Sequence, residues 1–234
     1  MFNGKMKAIT FSYDDAVLQD IRFIELLNKY GLKGTFNINS ELLGKENQIR
    51  DGEGNVANHT KVKKEDVKAI YTGHEVAVHT LTHPNLTNIA DDKEVIRQVE
   101  QDRLNLSEIV GYEVQGMAYP CGGVNNDDRV AELIKNNTGV KFSRTITSTF
   151  NFDLQTNLYR FNPSVYHMQF DQMFELANEF VELKTDTPKI FYIWGHTYEL
   201  DFKDTWGKME ELFKIISNRD DIFYGTNSEV LLYI

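Results

Sequence analysis

The chain lacks the features that mark disulfide scaffolds, membrane proteins and nucleic-acid-binding proteins. Cys121 is its only cysteine, which excludes an internal disulfide and says little about the compartment. No apolar run approaches the roughly 20 residues of a membrane span. The formal net charge is -10 at pH 7, whereas nucleic-acid and anionic-membrane surfaces need clustered Lys and Arg. We therefore expect no nucleic-acid partner and no membrane span.

The sequence shows no internal repeat, low-complexity tract or linker that would split the chain. Residues 1–15 carry no basic segment followed by a long apolar run, so we expect no signal peptide. A cytoplasmic location is then the default expectation, with export open if a preceding segment has been removed. The hydrophobic content of 41% is ample for one sizeable core. We expect a single domain over residues 1–234, and the oligomeric state is left open.

Strand-like and helix-like segments alternate along the chain. Apolar residues at helical spacing predict helices over residues 17–30, 63–71, 91–110, 126–135, 170–183 and 205–217. Short apolar runs predict strands over residues 7–13, 34–39, 73–78, 116–119, 140–142, 158–161, 189–194 and 222–224, with a helical or extended tail over residues 228–234. Residues 44–60 are polar and aperiodic, which predicts a long loop that is functional or disordered.

This α/β alternation predicts a mostly parallel sheet, either a closed barrel or an open doubly wound layer. Polar residues follow the predicted strands at four places, residues 14–15, 79–83, 120–123 and 196. In a barrel, these strand ends face the same mouth. We therefore favour a barrel.

The segment 73–86, GHEVAVHTLTHPNL, carries the main chemical signal. A short buried strand is followed by His79 and His83, and Pro84 disfavours a helical conformation for His83. Two imidazoles at the end of a strand are typical of metal sites in α/β enzymes. On this pair alone, one packed and one exposed histidine is an equally good interpretation.

Two adjacent carboxylates, Asp14 and Asp15, follow the first predicted strand. They repel each other unless a cation compensates them. In one interpretation, one aspartate binds a metal ion and the other acts as a base. In the other interpretation, one of them caps the following helix. Together with His79 and His83, one aspartate gives the His-His-carboxylate set of a catalytic zinc site.

These motifs resemble those of the metal-dependent polysaccharide deacetylases, the NodB-homology or carbohydrate esterase family 4 group. Residues 79–83, HTLTH, match the family's His-Ser/Thr-x-x-His motif fully, and residues 11–16, FSYDDA, are similar to Thr-Phe-Asp-Asp-Gly. Residues 118–122, AYPCG, resemble Arg-x-Pro-Tyr/Phe-Gly in part. Residues 193–196, IWGH, resemble Leu-x-His with one extra residue or a shifted register. The resemblance covers most of the chain, in the family's order.

The resemblance implies a deformed (β/α) barrel of about seven parallel strands and removal of an N-acetyl or O-acetyl group from a sugar. It implies Asp14 as general base, His196 as general acid, and the backbone N–H of Cys121 as an oxyanion donor beside the metal. The implied metal ligands are Asp15, His79 and His83. Zinc is the default ion, and cobalt, nickel or iron would fit the same ligands.

The chain departs from the family pattern at several positions. Ala118 stands where the family has an arginine that orients the base. Arg144 and Arg160 are candidates to replace it, but we favour a surface ion pair of little value for both. Ala16 replaces the usual glycine, which a modest backbone adjustment would absorb. Residues 151–153, NFD, are a weak substitute for the family's Asp-Trp motif.

Residues around His196 are further candidates. Glu199 and Asp201 either orient His196 through its other ring nitrogen or belong to a solvated acidic loop. The candidate substrate-binding residues, which alternatively belong to the core or the pocket wall, are Tyr119, Pro120, Trp194 and Tyr198.

The remaining histidines and the cysteine side chain are set aside. His74 starts its strand, at the end away from the mouth, and is interpreted as structural. His59 is interpreted as an exposed loop residue, and His167 is a minor candidate. The Cys121 thiol is not the nucleophile we predict, since no histidine–cysteine pair is evident.

The sequence thus predicts a metal-dependent carbohydrate deacetylase. Two alternatives remain at this point. One keeps the fold and the metal but acts on a small non-sugar amide, as the missing arginine suggests. The other is a non-catalytic sugar-binding module with a decayed site, against which the intact set of ligands argues.

Overall fold

The computed structural model describes residues 1–232. Its strands are β1 (Lys7–Asp14), β2 (Thr35–Ile38), β3 (Gln48–Arg50), β4 (Val56–Asn58), β5 (Glu75–Val78), β6 (Gly116–Ala118), β7 (Phe142–Arg144), β8 (Val165–Tyr166), β9 (Lys189–Gly195) and β10 (Ile222–Tyr224). Its α-helices are α1 (Asp20–Lys29), α2 (Val67–Ile70), α3 (Asp92–Val110), α4 (Asp128–Asn137), α5 (Phe170–Glu182), α6 (Glu199–Phe202), α7 (Trp206–Ile216) and α8 (Asn227–Leu231).

The main sheet is curled and parallel. Seven of its strands follow the order β7-β6-β5-β2-β1-β9-β8, and β10 pairs with the first residues of β1. The chain between β7 and β8 narrows the gap between the sheet edges, because Phe161 forms a parallel bridge with Arg144 and the N–H of Ser164 donates to the carbonyl of Tyr192. The predicted deformed barrel of about seven parallel strands is confirmed, as a half-barrel wrapped by helices.

Strand alternation in β1 separates an apolar face from a polar one. Phe11 and Tyr13 pack against the helices, with the Phe11 ring 5.3 Å from Phe213 and the Tyr13 ring 4.0 Å from Phe23. Ser12 and Asp14 point the other way, into the curl of the sheet, since successive side chains of a strand face opposite sides. The larger apolar cluster therefore covers the sheet from outside, while the interior of the curl holds a smaller apolar cluster, which includes Ala8, Ile190 and Tyr192, beside the polar Ser12 and Asp14.

Side chains cap the N-termini of α3, α4 and α8. Asp91 accepts from the N–H of Lys93 at the start of α3, and Gly111 ends that helix in the left-handed conformation, with φ 83°. Thr226 and Glu229 form a reciprocal capping box at α8. These caps define where α3 begins and ends and where α8 begins.

Several elements differ from the prediction. The expected loop over residues 44–60 contains the antiparallel hairpin β3–β4, and residues 158–161 form a short 3₁₀ helix, Leu158–Arg160, and a bridge instead of a strand. The short elements β8 and α6 were not predicted, because two and four residues carry no usable periodicity. The predicted tail is helical in α8, and its last two residues lie outside the described part.

Within residues 1–232, no helix has both the length and the apolar composition that crossing a membrane requires.

Candidate active site

The carboxyl ends of β1, β5, β6 and β9 meet at one edge of the sheet, around a cavity of about 450 Å³. The predicted site residues that line this cavity are Asp14, Asp15, His79, His83, Tyr119, Cys121, Trp194, His196 and Tyr198. Pro120 is buried and does not line the cavity, so the structure does not place it against a substrate. The four polar segments of the sequence therefore converge as expected of strand ends at a barrel mouth.

The turns that carry these residues are conformationally strained. Asp15, Ala16, Thr80, His83 and Cys121 all have positive φ, between 50° and 85°. Residues other than glycine occupy this region at a cost, and such residues concentrate at functional sites. Ala16 thus adopts the left-handed conformation that its usual glycine counterpart takes freely.

Asp15, His79 and His83 offer ligand atoms that all lie within 4.8 Å of one another. His79 is 1% exposed, and its Nδ1 lies 2.9 Å from the carbonyl of Ala118, which fixes Nδ1 as the donor and leaves Nε2 as an acceptor. Among residues 1–232, that Nε2 is buried and has no hydrogen-bond partner. A buried unpaired lone pair facing a carboxylate and a second imidazole fits a divalent metal ion.

The protonation of the two imidazoles suits metal binding. Burial is the main cause that lowers the pKa of His79, to about 4. Burial also lowers the pKa of His83. Both rings are therefore neutral at neutral pH, which is the form that binds a metal ion.

A buried carboxyl group under β5 supports His79. Asp102 of α3 accepts from the backbone N–H groups of Ser40 and His79, at 2.7 and 3.2 Å. Its burial raises its pKa to about 7. Sequence reasoning missed this residue, because an acidic residue in a long amphipathic helix reads as solvent-exposed.

Asp14 is clamped by Arg144. One guanidinium nitrogen lies 2.6 and 2.5 Å from the two carboxylate oxygens, and Arg144 is 0% exposed. Asn37 of β2 donates to the same carboxylate at 2.7 Å. Burial tends to raise the pKa of Asp14, but Arg144, His79 and His196 outweigh it, so the pKa is lowered and the group is a carboxylate at neutral pH. The expected surface ion pair is therefore wrong for Arg144.

Arg144 lies beside the position that the family's arginine would occupy. Ala118 of β6 and Arg144 of β7 are paired in the parallel register, so both side chains face the interior of the curl. The other candidate, Arg160, is a surface residue as expected, paired with the exposed Asp128. The arginine that holds the Asp14 carboxylate thus lies one strand along the sheet from the family's position.

His196 stands on the other side of Asp14. Its Nε2 lies 3.9 Å from Oδ2 of Asp14, and its Nδ1 lies 3.2 Å from Oε2 of Glu199. Burial tends to lower the pKa of His196, but the charges of Glu199, Asp14 and Asp15 raise it to about 9. The ring is therefore a cation at neutral pH and can donate a proton.

Glu199 contacts a second histidine, His167, in addition to His196. Nε2 of His167 lies 2.8 Å from Glu199, and its Nδ1 lies 3.1 Å from the hydroxyl of Tyr13. A Cβ on Gly195 would come within 2.3 Å of the His167 ring, which explains the glycine before His196. Asp201, the other candidate partner of His196, instead accepts from Trp206 at 2.8 Å and does not orient His196.

The hairpin region closes another side of the cavity. His59 lies 3.2 Å from Oδ2 of Asp15, with its side chain 12% exposed, so its interpretation as an exposed loop residue is wrong. The ammonium of Lys61 is 3.2 Å from Oδ1 of the same carboxylate. Sequence reasoning missed Lys61, since no motif or periodicity marks it. Sequence reasoning also missed Asn37, although an amide side chain within a short buried strand is a sign of a functional residue.

The remaining residues considered in the sequence analysis have structural or surface positions, or, for the Cys121 thiol, no reactive form. His74 is a structural residue as expected, accepting from the N–H of Gly34. Phe152 belongs to the core and Asp153 pairs with Lys189 at the surface, so residues 151–153 do not replace the Asp-Trp motif. The Cys121 thiol lies 3.7 Å from Nδ1 of His83, and burial raises its pKa, so it is not a thiolate at neutral pH.

The curled parallel sheet, with its site at the carboxyl ends of the strands, has the carbohydrate esterase family 4 (NodB-like) deacetylase fold. A profile described as polysaccharide deacetylase matches residues 3–142, which is more than half of the chain. The chain therefore belongs to the polysaccharide deacetylase family. A search of curated proteins finds no match.

Two solved structures are similar over nearly the whole chain, and a third is similar over part of it. The family 4 carbohydrate esterase from Streptomyces lividans in complex with acetate has a TM-score of 0.58 and 12% identity, over 97% of this chain and 94% of that one. The family 4 pseudoenzyme BA3943 from Bacillus anthracis has a TM-score of 0.53 and 17% identity, over 99% of this chain and 66% of that one. The deacetylase PplD of Streptococcus pyogenes in complex with acetate aligns at 18% identity and a TM-score of 0.47, over 58% of this chain and 55% of that one. At these identities, the likeness to the first two structures establishes the fold.

Proposed function

We propose that this protein is a metal-dependent hydrolase that removes acetyl groups from an N- or O-acetylated carbohydrate. The observation that carries the proposal is the position of Asp14, between the Asp15–His79–His83 cluster and the protonated His196. A base, an acid and a three-ligand metal site around one cavity are the parts that acyl hydrolysis needs. The family and the fold support the same class of reaction.

Asp15, His79 and His83 would hold one divalent ion, with zinc the first expectation for these ligands. When bound, the ion would supply Lewis-acid polarisation of the acetyl carbonyl. The cluster fits such an ion because His79 Nε2 is buried, aimed at Asp15 and His83, and otherwise unpaired.

The protein's own groups handle the protons. Asp14, kept as a carboxylate by Arg144, accepts a proton from the water that attacks the acetyl carbon. His196 donates a proton to the departing amine or alkoxide as the C–N or C–O bond breaks, leaving acetate and the deacetylated sugar. The N–H of Cys121, on the strained turn after β6, is the proposed donor to the developing oxyanion.

The walls of the cavity suit a sugar. Trp194 and Tyr198 flank His196, with ring centroids 5.8 and 5.1 Å from the imidazole. Aromatic faces beside a polar centre are common carbohydrate platforms. We propose Tyr119, Trp194 and Tyr198 as substrate contacts. We also propose that the chain forms one catalytic domain, since the site takes residues from both β1 and β9, which lie far apart in the sequence.

The test is acetate release from a panel of acetylated sugars by metal-loaded protein, beside Asp14→Asn. We expect the parent to release acetate and Asp14→Asn to lose about 10²–10⁴-fold in rate, the usual contribution of a general base. Retention of metal by Asp14→Asn is the control for an intact site. Equal release by parent and variant would refute Asp14 as the base, and no release from any acetylated sugar by the metal-loaded parent would refute the function.

A further inference from the structure

We propose that His167 is a positioning residue for the proposed reaction, because its ring holds Glu199 against His196. The hydroxyl of Tyr13 fixes the tautomer in which the ring does so. This inference rests on the proposed function and deepens it, since it concerns the proton that the leaving group receives. It starts from β8, whose last residue, Tyr166, is followed directly by His167.

The His167 ring is buried beside the end of β9. Its side chain is 0% exposed, and its backbone N–H donates to the carbonyl of Trp194 at 2.8 Å. The ring packs onto Gly195, where a Cβ would come within 2.3 Å of it. His167 does not line the cavity that holds the proposed catalytic groups. Any effect of this ring on the reaction therefore passes through another residue.

Hydrogen bonds determine which nitrogen of His167 carries the proton. Nδ1 lies 3.1 Å from the Tyr13 hydroxyl. Burial, followed by the charges of Glu199 and Asp20, holds the pKa of Tyr13 well above its ordinary value, so the phenol keeps its proton. Among residues 1–232, this hydroxyl has no other hydrogen-bond partner, and a buried hydroxyl donates where it can. Tyr13 therefore donates to Nδ1, and the proton of His167 is on Nε2.

The Nε2 proton of His167 is directed at Glu199. Nε2 donates to Oε2 of Glu199 at 2.8 Å, and the hydroxyl of Tyr166 donates to Oε1. Two consecutive residues thus hold both oxygens of one carboxylate. Glu199 lies on α6, Glu199–Phe202, which is too short to make more than a few hydrogen bonds of its own. The contacts from β8 are therefore needed to fix this side chain.

Oε2 of Glu199 is also the oxygen that faces His196. It accepts from the backbone N–H of His196 at 3.1 Å and lies 3.2 Å from Nδ1 of the ring. With Nδ1 turned toward Glu199, Nε2 of His196 faces the cavity, 3.9 Å from Oδ2 of Asp14. A general acid works only within hydrogen-bond reach of the group that it protonates. If Glu199 rotated away, the His196 ring would lose the contact that aims Nε2 at the leaving group.

The experiment compares two acetyl compounds that differ in their need for an acid. The amine that leaves an N-acetylglucosamine tetramer requires a proton, whereas 4-nitrophenolate leaves 4-nitrophenyl acetate without one. For metal-loaded His167→Leu, we expect kcat on the tetramer to fall about 10–100-fold with KM within about twofold, as is usual when the partner that orients a functional histidine is lost. On 4-nitrophenyl acetate, kcat should fall by no more than about threefold, because His196 is not needed there.

His167→Gln is the conservative variant. Its side-chain amide can donate to Glu199, so it should recover at least about threefold of the rate on the tetramer that His167→Leu loses. A histidine that only fills space would give a different result, since damage to packing would impair both compounds alike. No loss on the tetramer, or equal losses on the two compounds, would overturn the positioning role and leave the deacetylase proposal intact.

Tyr13→Phe tests the tautomer, because it keeps the ring and removes only the hydroxyl that donates to Nδ1. We expect a loss of about threefold to tenfold on the tetramer, in line with one neutral hydrogen bond, and no loss on 4-nitrophenyl acetate. Tyr224→Phe is the matched control, since its hydroxyl donates to the carbonyl of Ile216 and it does not line the cavity. It should leave both rates unchanged, and equal effects of the two variants would overturn the role of Tyr13.

If the parent releases no acetate from the tetramer, nitrogen NMR of the imidazole rings decides. A His167 proton on Nε2 at pH 7, with the Nδ1-protonated form appearing in Tyr13→Phe, supports the arrangement while the proposed function fails. A proton on Nδ1 in the parent, or a tautomer that Tyr13→Phe leaves unchanged, overturns it.

Discussion

The cavity has two halves that differ in how the chain builds them. The proposed metal ligands come from the ends of two strands, with His79 and His83 four positions apart in one turn. The groups that support Asp14 and His196 come from elsewhere, since Arg144 is 130 residues from Asp14 and Glu199 lies on the separate helix α6. The geometry of the proposed ligands depends on spacing within a short segment. The groups that hold Asp14 and His196 need only lie on some strand or helix that packs beside these residues.

This difference explains why one half resembles the family and the other departs from it. Moving a ligand by one residue reverses its direction on a strand and destroys the cluster. Moving the arginine from the position of Ala118 to the paired position of Arg144 keeps a guanidinium within reach of Asp14. A family pattern is thus a stricter guide to ligands than to the groups that hold them.

The largest expected effect comes from removing Arg144. Arg144→Ala should lower the free energy of unfolding by about 3–5 kcal/mol, because it leaves the buried Asp14 carboxylate without its cation. Arg160→Ala is the control and should cost no more than about 1 kcal/mol, since Arg160 pairs with an exposed carboxylate. Urea unfolding measures both, and similar losses would contradict the assignment of Arg144.

The register of β6 and β7 suggests a sharper version of this test. Ala118→Arg introduced into Arg144→Ala should recover part of the lost stability and part of the acetate release, since the two positions face the same interior. A double variant as impaired as Arg144→Ala would show that the two positions are not interchangeable.

The next effect is a shift of the alkaline limb of the pH–activity profile. His196 must be protonated to act as an acid, so activity should fall as pH rises through its pKa, which the Glu199 charge raises. Glu199→Gln removes that charge, and the limb should move to lower pH by roughly one unit or more. Asp201→Asn, a nearby carboxylate that contacts Trp206 instead, should leave the limb in place. A limb unmoved by Glu199→Gln would exclude this role.

The smallest effect concerns Cys121. Because we assign the oxyanion contact to its backbone N–H, Cys121→Gly should keep acetate release within about threefold of the parent. Glycine accepts the φ of 69° freely, so stability should rise by up to about 1 kcal/mol in thermal unfolding. A loss of activity comparable with that of Asp14→Asn would instead assign the reaction to the thiol.

The sequence was a good guide to the sheet and the ligand cluster, because both depend on short local patterns. The strand preceding His79, the spacing of its two histidines and the Asp14–Asp15 pair together predicted the Asp15–His79–His83 cluster that the structure assembles at the mouth. The burial of Arg144 was not predictable, since a three-residue strand carries no periodicity and its partner lies far away in the sequence. The hairpin β3–β4 was missed because a polar, glycine-bearing segment reads as a loop, although it lies against the site.

The most direct test of the account is the metal content of the purified protein, measured by elemental analysis beside His79→Ala. The account predicts about one equivalent of a transition metal in the parent and none in the variant, because His79 supplies a buried nitrogen with no other partner. No metal in either protein, even after zinc is added back, would contradict the ligand assignment and favour a non-catalytic sugar-binding module.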